Sequence, residues 1–377
     1  MRILFSSTPA HGHLLPQLPL ARAFRDRGDQ VAVMTAGLFA PVLAPEGIEL
    51  LPVGPGADVL FAESTRRTGV DAAADPTPEA VAEFFAGTRI DLTADDALAA
   101  ARAFAPDLIV ADAMDFVGPL VAAALEVPLA TLAFGPAIPA EFTDGINRVA
   151  AVRYADRGLT PIPARWYLDP CPDLLQPPAW DAPQTRLPLR PEPHQGPDPA
   201  GAPAHAPRRG GQPRVLVTFG THFSDVAVLT PILTELRATG AELVVTLGLT
   251  ARAEDFGAAG DGVTFTGFAP LTELLHDVDL VVTHGGAGTT LGSLARGLPL
   301  VVVPQGADQF LQAAVVSASG AGIAVQPGPD VPQTVAKAVG TLRADAAYAG
   351  AARAVAQQIA AMPSPAEVAT RLANVLD

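Results

Sequence analysis

Short runs of branched apolar residues, each followed by a longer stretch with helical spacing, recur along most of the chain and constrain its fold more than any other feature. The alternation begins at Ile3-Leu4-Phe5, passes through a helical pattern over residues 14–27, turns at Gly28-Asp29 and resumes at Val31-Ala32-Val33. Parallel strands need a crossover of a dozen or more residues between them, so this rhythm predicts βαβ units and a parallel sheet. It returns at Pro106-Asp107-Leu108-Ile109-Val110-Ala111-Asp112, followed by a helix near 116–125 and a strand near 128–132. The segment 59–88 lacks strand character and reads as a long loop leading into a helix that ends near Ala105.

Between about 160 and 212 the alternation stops and prolines arrive every few residues, ending in Pro197-Asp198-Pro199-Ala200-Gly201-Ala202-Pro203, the composition of a linker. A second alternation starts at Val215-Leu216-Val217-Thr218-Phe219-Gly220 and continues near 243–247, 279–283 and 300–303. At 377 residues the chain exceeds what one hydrophobic core supports, and two α/β domains follow.

A net charge of −15 argues against a nucleic-acid partner, which would need clustered Lys and Arg to displace counterions. Any anionic ligand must be held by local donors in a cleft. One cysteine, Cys171, excludes an intrachain disulfide framework and a Cys-rich zinc site. No signal-type segment or membrane-length apolar run is visible, and a cytoplasmic protein is expected.

One anion site can be read directly. The run Asp279-Leu280-Val281-Val282-Thr283 leads into His284-Gly285-Gly286-Ala287-Gly288-Thr289-Thr290 and then a helix. Glycines at a helix start let the backbone approach a phosphate, the first amides point outward, and the helix dipole favours negative charge there. His284 and Thr289 add side-chain donors. Further on, Asp308-Gln309 follows the strand at 300–303, where ligands of open α/β sheets bind; an acid and an amide there suit sugar hydroxyls, while Asp308 also fits as a helix N-cap. Phe268 offers its face to a nucleobase or packs in the core, and Thr221 reaches a phosphate or caps a helix.

In the first half, Ala10-His11-Gly12-His13-Leu14-Leu15-Pro16 again stands at a strand exit. Imidazole is suited to take a proton from a hydroxyl near neutral pH, and Asp112, at the end of another strand of the same sheet, is placed to orient it. Helix capping fits His11 and His13 as well. The spacing of the two histidines has no companion ligands, so no metal is expected.

Gly12-His13-Leu14-Leu15-Pro16, Tyr167-Leu168-Asp169-Pro170-Cys171-Pro172, Phe268-Ala269-Pro270, the turn from His284 through Thr290, and Pro304-Gln305-Gly306-Ala307-Asp308-Gln309 together resemble the GT-B, family 1 glycosyltransferases, especially actinomycete enzymes that decorate macrolides and other natural products. The resemblance implies two Rossmann-like domains facing across a cleft: an acceptor domain over 1–189, a Pro-rich linker over 190–213, a nucleotide-sugar domain over 214–363 and a C-terminal helix over 364–377 that crosses back. It implies an inverting, hexosyl-transferring enzyme of antibiotic biosynthesis, with a dTDP- or UDP-sugar donor, a small-molecule aglycone acceptor, no cofactor or metal, and a homodimer as an allowed assembly. His13 maps to the base and Asp112 to its partner. His284, Gly286, Ala287, Gly288 and Thr289 map to the diphosphate site, with Thr221 beside it, Asp308 and Gln309 to the sugar site and Phe268 to the base-stacking position. His13 would deprotonate an acceptor hydroxyl as it attacks the anomeric carbon, and the glycine turn would stabilise the leaving diphosphate. Two departures stand out: Gln312-Ala313 replaces the family's frequent Asn-Ala, and the plant pattern Cys-Gly-Trp-Asn-Ser is missing after the histidine. A GT-B-shaped sugar-nucleotide epimerase would share the diphosphate site without needing an acceptor pocket, and a catalytically silent binding subunit would not need His13 and Asp112 together.

Overall fold

The computed structural model describes residues 1–72, 76–195, 208, 211–220, 225–248, 251–256 and 262–376, apart from the Glu141 side chain. Thr221 and the stretch from Pro197 to Pro203 lie outside the described residues. The chain divides into two compact units, one of Met1–Cys171, Pro178–Arg190 and Met362–Asp377, the other of Pro172–Pro177 and Pro191–Ala361.

The first unit is built on seven strands: β1 (Arg2–Ser6), β2 (Gln30–Thr35), β3 (Glu49–Pro52), β4 (Leu108–Asp112), β5 (Leu129–Leu132), β6 (Trp166–Asp169) and β7 (Arg186–Pro188). They form one parallel sheet in the order β3-β2-β1-β4-β5-β6-β7. Alternate residues of β1 feed two cores, as the pleat dictates. Ile3 and Phe5 pack with Leu18, Phe24 and Leu372 on one face, and Leu4 packs with Ile90, Ile109 and Ala111 on the other. The helix Pro365–Leu376 belongs to this unit, burying Val368, Ala369 and Leu372 beside the helix Leu18–Asp26.

The second unit has six parallel strands: β8 (Arg214–Thr218), β9 (Glu242–Thr246), β10 (Val263–Thr266), β11 (Leu280–Thr283), β12 (Leu300–Val302) and β13 (Gly322–Ala324). Their order is β10-β9-β8-β11-β12-β13. Pro172–Pro177 packs here: Leu175 is buried, and Leu174 N–H donates to Gln358 Oε1 at 3.0 Å.

Two expectations are corrected. The segment 59–88 is mostly helical, with helices at Ala57–Thr68 and Pro78–Ala82 and a π-helical turn at Glu83–Thr88. The first of these helices ends on Gly69 in the left-handed region, and Glu63 binds both Arg66 and Arg67 one turn on, so charge pairing supports a helix whose apolar stripe is weak. The proline-rich region contains β6 and β7, which pair at the edge of the first sheet. Pro188 ends the outermost strand, where a missing N–H is tolerated. Among the described residues no helix is long and apolar enough to cross a membrane.

Candidate active site

Each sheet reverses its strand order at one place, between β1 and β4 in the first unit and between β8 and β11 in the second. Loops at the carboxyl ends of strands separate at such a switch point and leave room for a ligand. His13 and Asp112 stand at the first of them, and the turn from His284 through Thr289 at the second.

In the first unit, β1 and β4 are hydrogen-bonded neighbours, so the helical turn after Ser6 and the end of β4 meet. His13 Nδ1 lies 3.1 Å from Asp112 Oδ1, with the carboxylate almost fully buried and the ring partly exposed. Asp112 is fixed from behind: Thr8 N–H donates to Oδ2 at 2.8 Å and Met114 N–H to Oδ1 at 2.7 Å. A carboxylate held this way favours a proton on Nδ1 and puts the basic lone pair on Nε2. The rings of Phe85 and Phe134 flank the imidazole at centroid distances of 5.7 and 5.0 Å. Gln17 Nε2 donates to the His13 carbonyl at 3.1 Å and to the Ser6 carbonyl at 3.3 Å, tying the histidine's turn to β1. His11 instead sets its ring against Phe39 at 5.1 Å.

A cavity of about 600 Å³ opens beside Asp112, against β5 and the helix Ala140–Ala155. Met114, Phe116, Ile138, Ile146, Tyr154 and Trp180 are among the side chains that make it predominantly apolar.

In the second unit the glycine turn joins β11 to the helix Ala287–Ala295, with Gly286 at the N-cap. The amides of the first turn precede the helix's own hydrogen-bond ladder and are available to an anion. His284 is buried between two glycines: a Cβ on Gly220 would come within 2.7 Å of the ring, and so would one on Gly286. Burial pushes its imidazole down to about 4, against a hydrogen bond to the Thr218 backbone that works the other way. His284 is therefore neutral near pH 7 and acts as a dipolar group rather than as a cation. Gly285 is in the left-handed region with φ +96°, where a Cβ would strike Val302. Gly288 is exposed, and a methyl group on its Cα would meet nothing within 4 Å; Thr289 beside it is half-buried and Ala287 is buried.

Asp308 occupies the N-cap position of the helix Gln309–Ala318 but makes no capping hydrogen bond; its Oδ2 accepts from Gln312 Nε2 at 3.2 Å. The departure at Gln312 thus touches the proposed sugar-binding acid. Gln309 is buried and turned into its own loop, its Oε1 accepting from Gln305 N–H at 2.8 Å and Gly306 N–H at 3.3 Å. Ala307, the residue before Asp308, takes φ +52°, a conformation unfavourable for a residue with a Cβ. Phe268 is 48% exposed and tilted over His194, so it is no core residue.

Sequence reasoning missed Arg89 and Asp115, both fully buried in the first unit. A signal existed: Arg89 falls on the stripe that also carries Ala86, Ile90, Thr93, Ala94 and Ala97, all buried, where a charged residue needs a reason. Among the described residues no group of three or more His, Cys, Asp or Glu side chains is placed to hold a metal.

Family models described as erythromycin biosynthesis protein CIII-like match residues 22–220 with their N-terminal domain and 230–375 with their C-terminal domain. The chain is 33% identical to the elloramycin glycosyltransferase ElmGT of Streptomyces olivaceus, over 99% of its own length and 97% of the relative's. It is 34% identical to the L-demethylnoviosyl transferase of Streptomyces niveus, over 99% and 98%. Among solved structures it is similar to the Streptomyces sp. SF2575 glycosyltransferase SsfS6 complexed with thymidine diphosphate, with a TM-score of 0.82, 28% identity and 99% of each chain covered.

Proposed function

The chain belongs to the erythromycin biosynthesis protein CIII-like family of actinomycete natural-product glycosyltransferases with the GT-B fold, and from that premise we propose that it moves a sugar, with inversion, from a nucleoside diphosphate to a hydroxyl of an apolar aglycone. The observation that carries this reading is the contact between His13 and Asp112. A buried carboxylate already held by two backbone amides does not need a histidine for its own satisfaction. It does suit an imidazole that must become cationic during a reaction.

In the proposed reaction His13 Nε2 takes the proton of the acceptor hydroxyl. The hydroxyl oxygen bonds to the anomeric carbon while the bond from that carbon to the diphosphate breaks, and Asp112 balances the imidazolium. The electron pair of the broken bond leaves on the diphosphate. Amides of Ala287, Gly288 and Thr289 and the helix dipole would receive that charge, with neutral His284 as a hydrogen-bonding neighbour. Such donors take the place of a divalent cation, so we assign no metal or cofactor to the reaction. Asp308 is assigned to the sugar hydroxyls, together with Gln309 once its side chain turns from its loop, and Phe268 to the nucleobase, for which its exposed ring is suited. Thr221 is assigned beside the diphosphate. The thymidine diphosphate bound by SsfS6 supports a thymidine donor. The cavity beside Asp112 supports an apolar acceptor, and a cytoplasmic location fits a single buried, unbridged cysteine.

The test is a mass-spectrometric screen of dTDP- and UDP-sugars against polyketide and aromatic aglycones, with His13→Gln alongside. A product heavier by one glycosyl residue is expected, with a rate about 10²–10⁴-fold lower in the variant. Transfer that survives His13→Gln unchanged, or no product from any donor, would sink the reading.

A further inference from the structure

The guanidinium of Arg89 is fully buried, a placement that carries a heavy desolvation penalty. Its neighbours on the same stripe are apolar or small, and an apolar side chain of similar volume would fill the site with no such penalty. Where its hydrogen bonds go is therefore informative. Nη1 donates to Thr93 Oγ1 at 3.0 Å, and Nη2 donates to the Ser7 carbonyl at 3.0 Å and to Asp115 Oδ1 at 3.4 Å. The Ser7 carbonyl and the Thr8 N–H belong to one peptide group, and that N–H is the one that donates to Asp112 Oδ2 at 2.8 Å. A single planar unit thus separates the buried cation from the carboxylate that orients His13. A charge-assisted bond to a peptide oxygen polarises the group and strengthens its N–H as a donor. Thr8 Oγ1 donates to the Met114 carbonyl at 3.2 Å, tying together the two stretches whose amides hold Asp112.

We propose that Arg89 is a positioning residue for the His13–Asp112 pair: it locks the Ser7–Thr8 peptide and, through the Thr8 amide, sets the orientation of the Asp112 carboxylate. Asp115 is the counter-ion that keeps the guanidinium in place. Its Oδ2 accepts from Ser6 Oγ and from Gly118 N–H, so donors converge on the carboxylate from β1, from the first turn of the helix Val117–Leu125 and from Arg89. Burial drives Arg89 down and Asp115 up, and the attraction of each for the other works against that in both cases. Among the described residues, Asp112 is in contact with the His13 ring, Arg89 and Asp115 interact electrostatically with Asp112, and Phe85 and Phe134 pack against the imidazole.

This assignment rests on the catalytic role given to His13, but its test needs no substrate. The imidazole of His13 is titrated by two-dimensional NMR in the full chain, its signal identified by its loss in His13→Gln. Removing the cation in Arg89→Met should raise the His13 pKa by roughly half a unit to one unit, because the cation that draws on Asp112 is gone. Asp115→Asn should lower it by a similar amount, and Arg89→Lys, which keeps the charge, should move it less than either. If Arg89→Met does not fold, Asp115→Asn decides alone. A His13 pKa that stays at its wild-type value in Asp115→Asn and in any folded Arg89→Met would overturn the proposal and leave Arg89 a structural ion. Failure of every donor and aglycone to react would count against the transfer reading while leaving this titration valid.

Discussion

Gly286 and Gly288 stand two positions apart in one turn and answer to different constraints. A methyl group on Gly286 would meet His284 Nε2 at 2.7 Å, while one on Gly288 would meet nothing within 4 Å. Gly286→Ala should therefore destabilise the protein by about 1–3 kcal/mol, the usual range for overpacking. Gly288→Ala should leave stability equal or slightly higher, since alanine is the better helix former, yet weaken dTDP binding about tenfold by filling the anion's space. Urea unfolding and calorimetric titration with dTDP separate the two, and identical behaviour would refute the distinction. His284 supplies a pH signature. Its folded pKa is depressed to about 4, whereas an unfolded histidine titrates near 6.5. Its contribution to stability is complete above that value and is lost as pH falls through the window toward 4, up to about 3 kcal/mol. Comparing unfolding free energies at pH 7 and 4.5, His284→Asn should show a shallower decline than the wild type. The sequence alone marked this turn as an anion site; that Gly286 serves the histidine and only Gly288 opens outward depends on the ring's position, which no local pattern encodes.

At the level of elements, the helix Pro365–Leu376 shows what a sequence announces well. Ser364 and Glu367 form a reciprocal capping box, with Ser364 N–H donating to Glu367 Oε2 at 2.8 Å and Glu367 N–H to Ser364 Oγ at 3.3 Å, and Pro365 takes the first turn. Leu372, fully buried among residues of β1 and β2, anchors it. Leu372→Ala is expected to cost about 2–5 kcal/mol and Ser364→Ala about 1 kcal/mol, both visible as lower thermal midpoints. The helix at Ala57–Thr68 was not legible in the same way, because it buries only Leu60 and Ser64 and shows no clear apolar stripe. Strands β6 and β7 were hidden for another reason. Four and three residues are too few to display a period, and the prolines around them read as a linker.

For the whole molecule, ligand linkage gives the clearest expectation. A nucleotide that binds only the folded second unit stabilises it by about 2.7 kcal/mol at one hundred times its dissociation constant. A thermal shift with dTDP that persists in excess EDTA is expected; its loss on chelation would show that a cation takes part. The alternation of apolar runs determined two parallel α/β units, since the central strands are buried on both faces and parallel neighbours need a crossover. The residues proposed for the site, His13, Asp112 and the turn from His284 through Thr289, could likewise be picked out at strand exits, because ligands of such sheets bind at switch-point loops. The residues alone left His11 and His13 open and the resemblance chose His13, but the contact itself depends on strand order. His13 rather than His11 reaches Asp112, ninety-nine positions away in sequence, because β4 pairs with β1. The same adjacency brings Arg89 and Asp115 beneath the pair, and the loop before Gln309 turns that side chain inward. Periodicity is a property of neighbours along the chain, whereas a buried hydrogen bond between distant residues depends on strand order and on the desolvation that only packing imposes.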